Sequence, residues 1–193
     1  MKFRFTLLIL FLPFLGLAQE RGAGVRLGEP FSLTYKDFLD DYLSFEVMVG
    51  SGGVNKGDYY RKSFENNPPS SNSFYLNHTA DRGISLNFRM ALHEDITDMF
   101  DIEQGYLLGY AGAGAQIRTT RVTYAYQPNP IQSGPFLEEE RTNFDFGPEV
   151  FGGAEYYFDE TPISVFVEIG LFVELIDRIN MRGQGGIGVR YLF

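Results

Sequence analysis

The 193-residue sequence contains no cysteine. That excludes disulfide frameworks, thiolate metal sites, cysteine nucleophiles and attachment through a lipidated cysteine. Histidine is nearly absent too, with only His78 and His93, so metal chemistry is poorly supplied. Basic residues are few: 16 Lys and Arg face 25 Asp and Glu, a formal charge of -9. An acidic chain is a poor partner for nucleic acid, whose phosphates call for a basic surface. Long apolar runs are missing beyond residue 18, where nothing approaches the roughly 20 apolar residues of a spanning helix. What remains is abundant in 19 Phe, 12 Tyr and 22 Gly. The length suits one domain, and the composition favours strands over helices.

The first residues read as a removable leader. Lys2 and Arg4 precede the apolar run Phe5 to Leu17, which Thr6, Pro13 and Gly16 interrupt, and Gly16-Leu17-Ala18 supplies small residues at the cleavage positions. This is the pattern of a secretory signal peptide over 1–18, too short and too broken by proline for a membrane anchor. Cleavage after Ala18 removes two cations and no acid, leaving 14 cations against 25 acids, or -11, on a chain of residues 19–193.

The later sequence alternates. From Ile163 to Leu175 every odd position is aliphatic, while the even positions carry Ser164, Phe166, Glu168, Gly170, Phe172 and Glu174. A period of two predicts a strand with one face suited to lipid and one suited to a polar interior. The same pattern runs through Leu43 to Gly50, Ile84 to Leu92, Phe144 to Phe158 and Gly186 to Phe193. Val25 and Leu27 against Arg26 and Gly28 predict a first strand, and Leu33 and Tyr35 against Thr34 and Lys36 a second, across a tight Gly28-Glu29-Pro30 turn. Tyr106 to Thr123 is long and rich in Gly and Ala, so its faces stay unassigned.

These segments amount to about eight strands, which predicts an all-β fold: a closed, antiparallel, up-and-down transmembrane β-barrel. Eight crossings of about 9–11 residues consume roughly half of the mature chain, and the rest serves as connections. Short turns are expected at Lys36 to Asp41, His93 to Gln104 (with a short helix) and Asp159 to Pro162, on the side of the termini. Longer loops, Asn55 to Ser73 and Gln127 to Pro135, fall opposite. A barrel of this size fills its interior with its own side chains, so no porin channel is expected.

In the stretches Gly24-Val25-Arg26-Leu27-Gly28, Leu33-Thr34-Tyr35-Lys36, Gly152 to Phe158 and the ending Gly186 to Phe193, the chain resembles small outer-membrane barrels of the OmpA/OmpX kind, as found in Bacteroidetes. The resemblance implies a bacterial outer-membrane location, contact with lipid and lipopolysaccharide, and a terminal aromatic strand, with Tyr191 and Phe193, read by the barrel-assembly machinery. It brings no catalytic motif and no cofactor.

The expected interior charges are Arg26, Glu46, Arg89, Glu149, Glu155, Glu168, Glu174 and Arg190. Buried carboxylates need partners, and arginine suits the role because it stays charged and offers five donors. The expectation is a salt-bridge network that plugs the lumen, with the excess of five acids over three arginines met by water or protonation; ion passage is the sharper alternative. Glu168 and Glu174 lie about 20 Å apart along one strand, too far to act as a catalytic pair. His78 and His93 lack a serine at a recognisable spacing, which disfavours a lipid A acyl hydrolase or transferase. Glu138-Glu139-Glu140 reads as a solvated run rather than a divalent-cation site, and Asn77-His78-Thr79 is a weak glycosylation match. A soluble, lipocalin-like ligand binder would reverse the faces, with aliphatic residues inward. No catalytic, cofactor or metal residues are expected, and the loops are where an extracellular partner would bind.

Overall fold

The computed structural model describes residues 21–54, 58–128, 135–176 and 179–193; the signal peptide expected over 1–18 lies outside them. Among the described residues nine strands form in chain order: β1 (Arg21–Glu29), β2 (Phe31–Phe38), β3 (Leu43–Gly52), β4 (Phe74–Asp81), β5 (Gly83–Asp95), β6 (Tyr106–Gln127), β7 (Leu137–Tyr157), β8 (Ile163–Glu174) and β9 (Asn180–Leu192). A helix, α1 (Tyr59–Asn66), precedes β4, and one 3-10 turn spans Thr97–Phe100. Each strand pairs antiparallel with its neighbours, and β9 returns to pair with β1. The sheet is therefore a closed eight-stranded barrel, as the alternation predicts. The ninth strand does not widen it. β4 pairs with Arg121 to Gln127 of β6 and β5 with Leu108 to Arg118 of the same strand, so β4 continues the line of β5 above the rim.

The barrel is uneven in height. β6 and β7 pair without interruption from Tyr106 opposite Tyr157 to Tyr126 opposite Leu137. At roughly 3.3 Å per residue that hairpin is about 70 Å long, far beyond an apolar band of about 25 Å even when tilted. Its upper part and β4 form a projecting sheet at what we call the loop end. The termini and the short turns after β2 and β7 define the terminal end. There β5 runs on to Asp95, so His93 belongs to a strand rather than to the expected turn. Lys36 likewise lies within β2.

The loop expected at Asn55 to Ser73 contains α1, whose Tyr59, Tyr60 and Phe64 share one face and whose Arg61, Lys62 and Glu65 take the other. Those rings pack on Val122 and Tyr124 of the projecting sheet, forming a buried apolar cluster. The interior thus changes character along β6, from Gln116, Arg118 and Thr120 to Val122 and Tyr124, all buried. An eight-residue helix is too short to persist alone in water, so this docking is what holds it. The expected loop at Gln127 to Pro135 falls largely on residues outside those described.

Candidate functional site

Strand parity decides what enters the lumen. Along β8, Ser164, Phe166, Glu168, Phe172 and Glu174 are buried while Val167 and Ile169 are 52% and 74% exposed. Leu33, Ile84, Leu92 and Ile187 are also exposed, and Arg26, Glu46, Arg89, Glu149, Glu155 and Arg190 are all buried. The outer wall is apolar and the inner wall charged.

Seven of the eight anticipated charges meet in one connected set, together with Lys36. Near the terminal end Lys36 Nζ donates to Glu155 Oε2 at 2.8 Å and to the Tyr157 hydroxyl at 3.1 Å. Arg190 reaches the same Glu155 oxygen at 2.7 Å and also pairs with Glu46. Ser164 donates to the other Glu155 oxygen. One layer up, Arg89 grips Glu149 with two bonds of 2.8 Å and donates to Glu168 at 2.8 Å, with Glu46 at 3.8 Å. Arg26 Nε closes the chain on Glu168 at 2.8 Å, and its Nη1 donates to the carbonyl of Pro30. Four cations thus face four carboxylates, and Asn87 adds a donor to Glu149. Guanidinium groups also lie over rings, Arg89 4.4 Å from the Phe151 centroid and Arg190 3.8 Å from that of Phe166.

Glu174 stands apart from this set. It accepts from the hydroxyl of Tyr59, which α1 lowers into the loop-end mouth. Burial, together with that bond, pushes the Tyr59 phenol above its usual pKa. Beside it Arg118 pairs with Asp145 and donates to the carbonyl of Gly53. Of these residues Lys36 and Arg118 escape a reading of the sequence, the first because it seemed to begin a turn, the second because its strand is Gly- and Ala-rich. Lys36 shared parity with Thr34, which was the available signal.

Glycine makes the space. In register, Gly114 lies opposite Arg89 and Gly24 opposite Arg190. A Cβ on Gly114 would stand 3.0 Å from Arg89 Cγ, and one on Gly24 2.8 Å from Arg190 Cγ. Each arginine stem therefore lies across a neighbouring strand where no side chain rises.

The two histidines lie at opposite ends. His78, on β4, packs against Tyr60, and the Tyr75 hydroxyl meets its Nδ1 at 2.6 Å. Burial holds it below its ordinary pKa. His93 Nε2 lies 2.8 Å from Ser44 Oγ, a serine contact that sequence spacing did not reveal. Ser44 is 2% exposed, and the other nitrogen of His93 contacts no carboxylate. Glu138, Glu139 and Glu140 lie at the start of β7, where Glu139 pairs with Arg141 and Glu140 with Arg121. Tyr191 is outward and exposed, and the Phe193 amide donates to the Arg21 carbonyl, joining the last residue to the first strand. Among the described residues no three side chains converge as a metal would require, and no helix is long and apolar enough to cross a membrane.

No family model matches the chain, and no curated protein matches it in sequence. Among solved structures it is similar to the N-terminal β-barrel domain of OprF from Pseudomonas aeruginosa, at 14% identity and a TM-score of 0.49, over 90% of this chain and 95% of that one. It is also similar to Ail, the attachment invasion locus protein of Yersinia pestis, at 11% identity and a TM-score of 0.44, over 90% of this chain and 94% of that one. At such identities the likeness concerns the arrangement of strands alone.

Proposed function

We propose that the chain is a bacterial outer-membrane protein whose barrel is sealed by its own side chains and whose role is structural or interaction-based rather than catalytic. The observation that carries this reading is the sorting of the two wall faces: aliphatic side chains point out of a closed barrel whose inside is charged. A soluble ligand-binding barrel requires the reverse. In water an outer wall with Val167, Ile169, Ile187, Leu33 and Leu92 exposed would far exceed the apolar patches soluble monomers tolerate. In lipid it is the low-energy arrangement, and the charged side chains that lipid would reject satisfy one another within.

The leader, the short turns at the terminal end and the projecting sheet at the other fit an orientation with the termini in the periplasm and α1 outside the cell. The barrel-assembly machinery would read the last strand through Tyr191 and Phe193, and lipopolysaccharide would surround the upper wall. Catalysis finds no support in the Ser44–His93 contact, because the serine is sealed beneath the ring and no acid orients the imidazole. Contact with an external partner is left to α1 and the top of the β6–β7 hairpin, where Arg61, Lys62 and Glu65 face outward beside aromatic side chains. Fractionation of cells tests the location. The protein should enter the detergent-soluble membrane fraction, with a heat-dependent change in gel mobility and protease cleavage near α1 on intact cells; recovery from the soluble periplasm would overturn the reading. Planar bilayers test the seal, where stable conductance steps from the folded protein would contradict it.

A further inference from the structure

Between α1 and β4 the chain carries Asn66-Asn67-Pro68-Pro69, which in the sequence reads only as irregular. In the fold Pro68, with Ser71 and Ser73 after it, forms one wall of a cavity of about 230 Å³. The other walls are α1, through Arg61 and Glu65, and the start of β4, through Phe74 and Tyr75. These walls are fixed by contacts of their own. The helix is held by Phe64, whose ring lies 5.8 Å from that of Tyr75 and 5.3 Å from that of Tyr124. The connecting turn is tied at one end by the Asn67 amide, which donates to the Phe64 carbonyl, and by Arg141, which reaches the Asn67 carbonyl at 2.7 Å. At its other end the Ser70 and Ser73 hydroxyls meet at 2.9 Å, and the Ser70 amide donates to Ser73 Oγ at 3.1 Å. A cavity shaped before its guest arrives spares that guest the cost of ordering the walls.

Size and chemistry narrow the guest. The volume lies below the roughly 300–1,000 Å³ of sites for drug-sized ligands, so it admits about one six-membered ring. The charges on its walls are Arg61 and Glu65, which pair with each other at 2.8 Å, so an ionic guest meets a counter-charge already engaged. That bond uses Arg61 Nε and Glu65 Oε1, which leaves planar donors in the Nη groups and an acceptor in Oε2. Phe74 is 57% exposed and presents an uncovered ring. A wholly apolar guest would strip water from the ion pair and the serine hydroxyls and return no hydrogen bond. The fitting guest is an uncharged ring, apolar on its face and polar at its edge. A pyranose divides in that way: its face carries axial C–H groups, and adjacent pairs of its equatorial hydroxyls match a planar guanidinium or carboxylate.

We propose that this cavity is a subsite for a neutral pyranose of a surface glycan, stacked on Phe74 with its hydroxyls toward Arg61, Glu65 and Ser71. With α1 outside the cell, the reading above on which this assignment rests, such a sugar comes either from the lipopolysaccharide of the same membrane or from a foreign surface.

The test is an NMR titration of the folded mature chain, in a detergent without a sugar headgroup, with the methyl glycosides of glucose, galactose and mannose. At least one should shift the signals of residues 61–75 saturably at millimolar concentration. Phe74→Ser and the double variant Arg61→Ala/Glu65→Ala should each weaken that binding at least fivefold, whereas Lys62→Ala, exposed on the same helix but outside the cavity, should change it less than twofold. No saturable shift with any of the three glycosides would overturn the proposal, as would an equal loss from Lys62→Ala. Stronger binding of phenol or of glucuronate than of every neutral glycoside would assign the cavity to an aromatic side chain or to an acid and overturn it too. The water-soluble saccharide released from the cell's own lipopolysaccharide, and then a panel of other glycans, separate the two sources: binding of the first places the partner on the same membrane, and binding of the second alone places it on a foreign surface. Purified protein answers these questions wherever the chain resides, so failure here is distinct from failure of the fractionation that tests location.

Discussion

Replacing Arg89 by methionine is the most direct trial of the interior network. The guanidinium is buried and makes three bonds of 2.8 Å to Glu149 and Glu168. Its removal strands the two acids unequally. Glu168 keeps Arg26, whereas Glu149 keeps only the amide of Asn87. Breaking a buried pair on one side costs about 3–5 kcal/mol, because the remaining charge stays desolvated. That is a large part of a typical stability of about 5–15 kcal/mol. Adding Glu149→Gln removes the stranded charge and retains an acceptor for Asn87, so the double variant should regain about 2 kcal/mol over Arg89→Met. The sequence has no tryptophan, so unfolding by denaturant in lipid vesicles is best followed by far-ultraviolet circular dichroism alongside gel mobility. A loss below about 1 kcal/mol for Arg89→Met would refute the argument, since water would then be reaching Glu149. So would a further loss on adding Glu149→Gln, because the two residues would then not be a pair.

On the outer wall, Val167→Arg should cost about 2–4 kcal/mol in lipid vesicles, against a milder effect of Glu168→Gln, which keeps hydrogen-bonding capacity; equal tolerance of both would reverse the facing of β8. Phe64→Ala opens the cluster beneath α1 and should release the helix, seen as faster amide exchange over residues 59–66, while the barrel melts as before; a fall in barrel stability equal to the about 3–5 kcal/mol of a core truncation would show that α1 is integral to it. His78 is held below its ordinary pKa by burial, so the docked state favours the neutral ring: its contribution is complete above about pH 6.5 and is lost progressively as the pH falls below that value. Exchange at α1 should accordingly quicken between about pH 6.5 and 5, and His78→Phe should remove the dependence.

The barrel was legible in the sequence because its physics is periodic: a wall with an apolar outer face and a charged inner face must alternate, and β3, β5, β7, β8 and β9 do so openly. What escaped was whatever lacked a period. Tyr106 to Thr123 hid its facing because glycine and alanine look alike on either side, and Gly114 acquires its meaning only from lying opposite Arg89, a relation of register between two strands. Lys36 and His93 escaped because strand ends are fixed by pairing, here with Glu46 and Tyr110, rather than by local residues. The helix α1 was hidden inside a segment whose Asn66-Asn67-Pro68-Pro69 announces irregular chain, and no side chain caps its start. Its stability comes from Val122 and Tyr124, more than 50 residues away.

The charge count shows how such omissions alter a physical conclusion. Read from the sequence, five interior acids faced three arginines, and the surplus called for water or bound protons. In the fold Glu174 leaves the set to accept a hydroxyl from Tyr59, and Lys36 joins it, so the carboxylates of Glu46, Glu149, Glu155 and Glu168 meet an equal number of cations. Within that set each carboxylate has a cationic partner, so the set calls for neither a counter-ion nor a bound proton.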